Sequence, residues 1–342
     1  MARCRASRHF CSFKERVHTV QCEMVAGALH VRPGKRFDNW RIDDFLKQGL
    51  QLPDGFVRRL FAAGGVRMGR LEVAPDTLLR GTAKVVLTEP KGERSRGRQH
   101  GLAAVSPPPV LYEDDHILVV SKRAGIIVHS DQAAEETLDS QVALHYARSG
   151  QDAPVLHVHR LDKPTTGAVL YAKHGFMARA LDEQLVTHGV ERRYLAVVFG
   201  AKLRKEQLVD KPIGRDRHRA GLYRVSSTGK EARTHFYVQA SKSDRNGTLS
   251  LLKCKLETGR THQIRVHTAA LGAPILGDTA YGGTSNYRNW PASGAIALHA
   301  AQLRFYHPYE EKDIVVDAPM SDDWISFLGQ EWSLDAQRVS LN

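Results

Sequence analysis

The stretch HRLDKPTTGAVLYA, residues 159–172, places charged side chains directly before an apolar run. Four ionisable residues occupy positions 159–163, and Asp162 is the only carboxylate among them. A short apolar run such as AVLYA, bounded by turn residues, is typical of a buried strand. The sequence therefore predicts a lone carboxylate among cations at the mouth of a buried strand. An ionised group in such a place needs a charged or hydrogen-bonding partner.

The chain is long enough for two domains, and its positive charge is concentrated in the first part. Its 342 residues include 49 Lys and Arg against 37 Asp and Glu, a net charge of +12. Residues 1–100 hold 20 basic and 10 acidic residues, whereas residues 101–342 hold 29 and 27. At roughly 150 residues per domain, we expect about two domains. The basic first part favours a polyanionic partner, nucleic acid before an anionic membrane, but charge that only aids solubility explains it equally well.

The cysteines and the first residues bear on the cellular compartment. Cys4, Cys11, Cys22 and Cys254 show no close-paired spacing, which argues against a zinc ribbon or a disulfide framework and favours a reducing compartment, the cytoplasm. No segment approaches the roughly 18 apolar residues of a membrane-spanning helix, so we expect no membrane partner. Residues 1–36 are predicted to form a flexible basic arm. An organellar transit peptide or an upstream start codon explains their Arg-rich start equally well.

Residues 37–90 are predicted to form a small basic module. Trp40, Ile42, Phe45, Leu46 and Leu50 repeat at helical spacing, and a second short helix with Val57, Leu60 and Phe61 inward ends at Gly64-Gly65. A strand over AKVVL closes the module, and its exposed arginines are Arg58, Arg59, Arg67 and Arg70. The module resembles an RNA-binding domain shared by a ribosomal small-subunit protein and several RNA-modifying enzymes.

A charged, proline-ending segment over residues 91–109 is predicted to be a linker to a larger domain over residues 110–330. In that domain strands and helices interleave without the spacing of simple βαβ crossovers. We therefore predict an α+β protein: a mixed, largely antiparallel sheet forms the larger domain, and the small basic α/β module precedes it.

The segment LETGRTHQIRVHTAALG, residues 256–272, predicts a helix with Thr261 as N-cap and Gly272 as its stop. Arg265 lies one turn into this helix, where the macrodipole gives a cation no stabilisation. It therefore either has a specific anionic partner, for which Asp162 is the candidate, or is a surface arginine on a solvated face.

Metal and hydrolase chemistry find little support. His157 and His159 alternate on one strand face, and His262 and His267 flank Arg265, but no carboxylate or thiolate falls at ligand spacing. We therefore expect no metal. A G-x-S-x-G elbow is also missing from the sequence, which argues against a serine hydrolase.

Several separated segments occur in an order and spacing that resemble the RluA-type family of RNA pseudouridine synthases over residues 108–320. The segments are HRLDKPTTGAVLYAK, ERRYLAVVFG, TGRTHQIRVHTAALGAPILGDTAYGG and LHAAQLRFYHP. The resemblance implies isomerisation of uridine to pseudouridine in structured RNA, with no cofactor. It favours large-subunit ribosomal RNA as the substrate, with transfer RNA as the alternative. A non-catalytic RNA-binding assembly factor is the competing class, and we expect a monomer.

The resemblance also implies roles for particular residues. Asp162 matches the catalytic aspartate, which acts as nucleophile or base, and Arg265 matches the arginine that pairs with it. Tyr194 matches the aromatic residue that stacks on the target base. Arg160 matches the residue that fills the space left by the flipped uridine. The predicted pocket walls are Ile264 and Leu298, and the predicted further RNA contacts are Arg58, Arg59 and Arg67. Arg123 departs from the family, which usually has proline there.

Overall fold

The computed structural model describes residues 20–80, 82–90, 106–132, 135–284, 287, 290 and 295–333. Residues 1–19 of the predicted arm and residues 91–105 of the predicted linker lie outside the described residues. The chain divides into two compact units. The first comprises the described residues before 91 together with Tyr306–Asp313, and the second comprises the remainder. In the described part of the chain, none of the helices combines the length and apolar character that crossing a bilayer requires.

The first unit is built on a five-stranded sheet in the order β1-β2-β5-β3-β4. The strands are β1 (Gln21–Val25), β2 (Ala28–Arg32), β3 (Val66–Met68), β4 (Leu71–Glu72) and β5 (Val85–Thr88), and each pairs antiparallel with its neighbours. The prediction of a flexible arm up to residue 36 is therefore wrong from residue 20 onward. Ala26 and Gly27 both adopt positive φ angles and join β1 to β2 as a tight hairpin.

The first unit also contains two short helical segments, close to where the sequence predicts them. A single α turn, α1 (Ile42–Asp44), continues as a π turn over Phe45–Gly49, and the predicted apolar positions are buried except Trp40. The second helix, α2 (Asp54–Ala62), buries Phe56 rather than Phe61 beside the predicted Val57 and Leu60. Gly64 follows the C-cap residue Ala63, as the predicted stop requires, and its φ of +64° favours glycine.

The second unit contains a ten-stranded mixed sheet whose main path runs β11-β14-β15-β10-β16-β9-β7-β6. Its strands are β6 (Val110–Glu113), β7 (Ile117–Lys122), β8 (Leu156–His157), β9 (Thr166–Ala172), β10 (Glu191–Gly200), β11 (Glu206–Asp210), β14 (Arg233–Asp244), β15 (Gly247–Leu256), β16 (Leu298–His307) and β17 (Lys312–Asp317). A separate antiparallel pair is formed by β12 (Ile213–Arg215) and β13 (Tyr223–Val225). The helices are α3 (Leu138–Arg148), α4 (Gly175–Val186), α5 (Gln263–Ala270) and α6 (Asp322–Trp332). The predicted α+β architecture with a largely antiparallel sheet is confirmed.

The parallel pairing of β9 with β16 joins two segments that are far apart in sequence. Thr166 pairs with His299 and Gly167 with Ala300. A Cβ atom at Gly167, whose φ is +114°, would lie 2.3 Å from the carbonyl oxygen of Ala300. Glycine is therefore required here for the backbones to approach. This contact brings the end of the HRLDKPTTG stretch beside the start of β16.

Candidate active site

A cleft of about 860 Å³ opens in the second unit, where the HRLDKPTTG loop meets the segment that leads into α5. Its lining includes Arg160, Asp162, Tyr194, Ile264, Arg265 and Leu298. Five of them are the residues predicted as catalytic or as pocket walls, and Arg160 is the residue predicted to contact the RNA. The cleft therefore brings together side chains that lie as far as 138 positions apart, between residues 160 and 298.

The loop that carries Asp162 is held by hydrogen bonds on both sides of the carboxylate. Upstream, His159 Nε2 accepts a hydrogen bond from the backbone amide of Leu170 at 3.3 Å. Downstream, the amide of Thr165 donates to the carbonyl of Asp162 at 3.0 Å. The backbone at Asp162 is therefore fixed relative to β9.

A buried lysine adds a further constraint on this loop. Lys122, at the end of β7, donates to the carbonyl oxygens of Lys163, Ile126 and Arg123 at 3.0, 2.7 and 3.0 Å. Burial lowers the pKa of Lys122 to about 7, and the negative charge of Asp162 opposes that decrease. Three carbonyl acceptors match the three N–H donors of an ammonium group. Lys122 therefore ties the loop after Asp162 to the end of a core strand.

The carboxylate of Asp162 faces two nitrogen-bearing side chains. Its Oδ2 atom accepts a hydrogen bond from Arg265 Nη1 at 3.3 Å, and its Oδ1 atom lies 3.9 Å from His262 Nε2. The Asp162 side chain is 23% exposed, so it is partly withdrawn from water but still open to the cleft. The cleft therefore presents an accessible carboxylate beside a fixed cation.

Arg265 has a stronger partner than the one predicted. Its Nε and Nη2 atoms donate to both carboxylate oxygens of Asp278 at 2.7 and 2.9 Å, and its guanidinium carbon lies 4.9 Å from the centre of the Tyr281 ring. Arg265 is 5% exposed, so the surface alternative is wrong. Burial alone would lower the pKa of Arg265, but the hydrogen bonds and charge of Asp278, helped by Asp162, raise it above its ordinary value. Asp278 thus orients the guanidinium, and the remaining nitrogen, Nη1, points towards Asp162.

Helix α5 begins one residue later than predicted, and this places the His262 ring beside Asp162. The N-cap is His262 in the left-handed conformation, at φ +56°, and not Thr261. The Gln263 side chain satisfies the turn instead, because its Oε1 accepts from the amide of Arg260 and the hydroxyl of Thr258. His262 Nδ1 lies 2.8 Å from the Tyr281 hydroxyl. This arrangement directs the other ring nitrogen of His262 towards Asp162.

Tyr194 forms an apolar part of the cleft wall. It lies in β10 next to an irregularity in the pairing with β16, between Arg193 and Tyr194, and such irregularities re-aim side chains. Burial raises the pKa of Tyr194 to about 12, with Arg192 opposing that increase and Asp162 adding to it. The phenol is therefore neutral at physiological pH. Ile264 and Leu298, which are 4% and 3% exposed, are buried beside the cleft as predicted for pocket walls.

Comparison with known proteins shows the family of this chain. The family described as RNA pseudouridylate synthase matches residues 116–270. The ribosomal large subunit pseudouridine synthase C of Escherichia coli (strain K12) is 34% identical over 295 residues, which cover 82% of this chain and 90% of that protein. The chain belongs to the RluA-type family of RNA pseudouridine synthases.

Further relatives of this pseudouridine synthase agree with that assignment. The uncharacterized RNA pseudouridine synthase YhcT of Bacillus subtilis (strain 168) is 43% identical over 215 residues, covering 63% of this chain and 69% of that protein. The ribosomal large subunit pseudouridine synthase D of Nitrosomonas europaea is 38% identical over 255 residues, covering 73% and 72%. Among solved structures, human RNA pseudouridylate synthase domain containing 1 is 28% identical with a TM-score of 0.52, covering 64% of this chain and 85% of that one.

Other predicted residues of the pseudouridine synthase lie at the surface. Arg160 is exposed on the cleft lining. Arg58, Arg59 and Arg67 belong to the first unit, where the first two are exposed and the third is half-buried. The nonconsensus Arg123 donates to the Glu136 carboxylate at 3.1 Å. An ion pair therefore accompanies the turn where the family usually has proline.

Sequence reasoning missed Asp278, although it stands within the quoted segment LGDTAYGG. The available signal was a lone carboxylate between two glycines, close after a helix that contains an arginine. Asp278 is 1% exposed, and its 13-residue separation from Arg265 does not correspond to any helical spacing. Only the folded chain brings the two together.

Proposed function

We propose that this enzyme isomerises specific uridines of large-subunit ribosomal RNA, with Asp162 as the catalytic carboxylate. The observation that carries the proposal is the contact between Asp162 Oδ2 and Arg265 Nη1 in an open cleft. The choice of RNA rests on the two relatives named for the large ribosomal subunit, which align over most of this chain.

The proposed reaction leaves the elemental composition of the uridine unchanged. The C1′–N1 bond breaks, uracil turns within the cleft, and a C1′–C5 bond forms, so that C5 loses a proton and N1 gains one. Asp162 acts as a nucleophile at C1′ or as a base towards the substrate, and the Arg265 guanidinium holds its carboxylate in place. No step of this bond exchange requires an oxidant or reductant.

The remaining cleft residues are assigned to binding. We propose that Tyr194 stacks on the target uracil, since a buried neutral ring offers a flat apolar face. Arg160 is exposed two residues before Asp162 and is assigned to fill the space that the flipped uridine leaves in the RNA. Ile264 and Leu298 close the pocket around the base.

The basic module over residues 37–90 is proposed to be an RNA anchor, joined by a linker over residues 91–109 to the catalytic domain. The exposed Arg58 and Arg59 on α2 support this assignment. We further propose that the enzyme is a cytoplasmic monomer. The free thiols of Cys22 and Cys254 agree with a reducing compartment.

The decisive assay uses transcripts whose uracil carries tritium at C5, because bond formation at C5 releases that hydrogen. Purified full-length protein is incubated separately with large-subunit ribosomal RNA and with transfer RNA. The proposal expects tritium release from the large-subunit RNA. Release from transfer RNA alone would establish the alternative substrate. RNA binding without any release would identify a non-catalytic assembly factor.

Replacing Tyr194 with leucine is expected to weaken binding of the target RNA by about 1–3 kcal/mol, the usual worth of one base stacked on an aromatic ring. Tyr194→Phe keeps the ring and is expected to keep the affinity. Equilibrium binding to a stem-loop substrate measures both, with circular dichroism to verify folding. Equal losses in the two variants would show that the hydroxyl matters and the ring face does not.

Substituting Arg58 and Arg59 together by alanine in the full-length chain is expected to flatten the salt dependence of RNA binding. Each lost phosphate contact reduces the log–log slope by ~0.7–0.9. Arg148→Ala serves as the control, since Arg148 is an exposed arginine at the end of α3 in the second unit. Binding is measured across a salt series. Identical slopes for the double variant and the wild type would show that these two arginines do not contact RNA.

A further inference from the structure

Three side chains that the catalytic assignment does not use meet at one edge of the cleft. His129 Nδ1 and His157 Nδ1 lie 2.9 and 3.2 Å from the same oxygen, Oδ2, of Asp139. The three ligand-type atoms all lie within 4.8 Å of one another. The two imidazoles line the cleft with side chains 20% and 27% exposed, whereas the Asp139 side chain is 1% exposed. The two histidines thus lie between a buried carboxylate and the cleft.

Backbone structure positions all three residues. Asp139 lies within the capping box that Thr137 and Ser140 form at the start of α3, and its amide donates to the carbonyl of Val128, the residue before His129, at 3.0 Å. His157 lies in β8, directly opposite Tyr171 of β9. The start of α3, the loop bonded to it and the β8–β9 pair therefore position the cluster.

Tyr171 orients the carboxylate from behind. Its hydroxyl donates to Asp139 Oδ1 at 2.9 Å, while Oδ2 faces the imidazoles. Metal-binding side chains are commonly oriented by such outer hydrogen bonds, and their loss weakens metal binding. The tyrosine is fully buried, so this orientation does not depend on solvent.

We propose that His129, Asp139 and His157 form a binding site for a divalent transition-metal cation of the Zn²⁺ type. Two imidazole nitrogens and one carboxylate oxygen suit such a cation, whereas Mg²⁺ prefers oxygen ligands. Bonds of ~2.1 Å in tetrahedral geometry separate ligand atoms by ~3.4 Å, close to the nitrogen–oxygen separations of 2.9 and 3.2 Å. The fourth position faces the cleft, where water or an RNA phosphate oxygen can enter.

A cation here would act on the enzyme in two ways. It would link the loop at His129, the start of α3 and β8, which continues within five residues to Asp162. It would also add positive charge to a cleft that receives a polyanion. Asp162 and Arg265 are not ligands of this site, and the isomerisation needs no metal. The site is therefore separate from the catalytic pair.

The test is a Co²⁺ titration of tag-free, chelator-treated full-length protein, followed by visible absorption, with Zn²⁺ calorimetry as a second readout. We expect a His157-dependent binding event that excess Mg²⁺ does not displace. The Co²⁺ affinity should fall by ~10–100-fold in His157→Ala and in His129→Ala, and by about 10-fold in Tyr171→Phe. His188→Ala, which removes another cleft histidine, should leave the affinity unchanged. Circular dichroism verifies that each variant is folded.

The measurement needs no RNA, so its result does not depend on the RNA substrate or on catalysis. If millimolar Co²⁺ produces no absorption band, the cluster is only a hydrogen-bonded network, and the proposal is wrong. Equal Co²⁺ affinity in the wild type, His157→Ala and His129→Ala would likewise overturn it, since the metal would then be held elsewhere.

Discussion

The Asp162→Asn variant is expected to lose pseudouridine formation by ~10⁴-fold or more while its affinity for RNA stays nearly unchanged. Asparagine keeps the shape of the side chain but removes the charge that attacks or deprotonates the substrate. The loop itself should persist, because its anchors at Lys122, His159 and Thr165 do not involve the Asp162 side chain. Single-turnover tritium release and equilibrium RNA binding measure the two effects separately.

The control for this variant is Asp152→Asn, which removes an exposed carboxylate from the same unit. It should retain wild-type turnover and affinity. Turnover of Asp162→Asn at an appreciable fraction of the wild-type rate would exclude Asp162 as the catalytic group. A parallel loss of RNA affinity would instead indicate that the carboxylate positions the RNA.

The Arg265→Ala variant is expected to lose both activity and stability. Removing one member of a buried ion pair leaves the other charge uncompensated, at a cost of about 3–5 kcal/mol in the free energy of unfolding. The charge left behind is mainly that of Asp278, which is 1% exposed and bonded to Arg265 by two hydrogen bonds. Activity falls because Asp162 loses the cation at 3.3 Å.

A double-mutant cycle tests whether Arg265 and Asp278 stabilise each other. Arg265→Ala with Asp278→Ala should destabilise the protein by less than the sum of the two single changes, because no uncompensated charge remains from their pair. The exposed pair Arg233 and Asp210, with side chains 42% and 50% exposed, provides the control and should couple by only ~0–1 kcal/mol. Urea unfolding measures each variant. Strictly additive losses for Arg265 and Asp278 would show that they are not energetic partners.

Local patterns in the sequence predict the position of two segments that line the cleft. Asp162 stands out as a carboxylate before a buried strand, and α5 is marked by helical spacing and a terminal glycine. Tyr194, Ile264 and Leu298 entered through the family resemblance, and the cleft contains all three. Their catalytic and binding roles remain predictions that the variants above can test.

The features that sequence reasoning missed depend on contacts between distant segments. The pairing of Arg265 with Asp278 follows from how the chain after α5 returns to the helix. The cluster around Asp139 joins positions 129, 139 and 157, which share no ligand motif. The β1–β2 hairpin was missed for another reason. The basic first 19 residues suggested one flexible arm up to residue 36, although Ala26-Gly27 forms a turn between two five-residue strands.

Mapping pseudouridines in total RNA tests the central claim most directly. Cells that lack the gene are compared with the same cells carrying the wild-type gene or the Asp162→Asn variant. The account predicts that at least one pseudouridine of the large-subunit ribosomal RNA disappears without the gene, returns with the wild type and does not return with Asp162→Asn. An unchanged large-subunit pattern in the deletion, or restoration by Asp162→Asn, would contradict it.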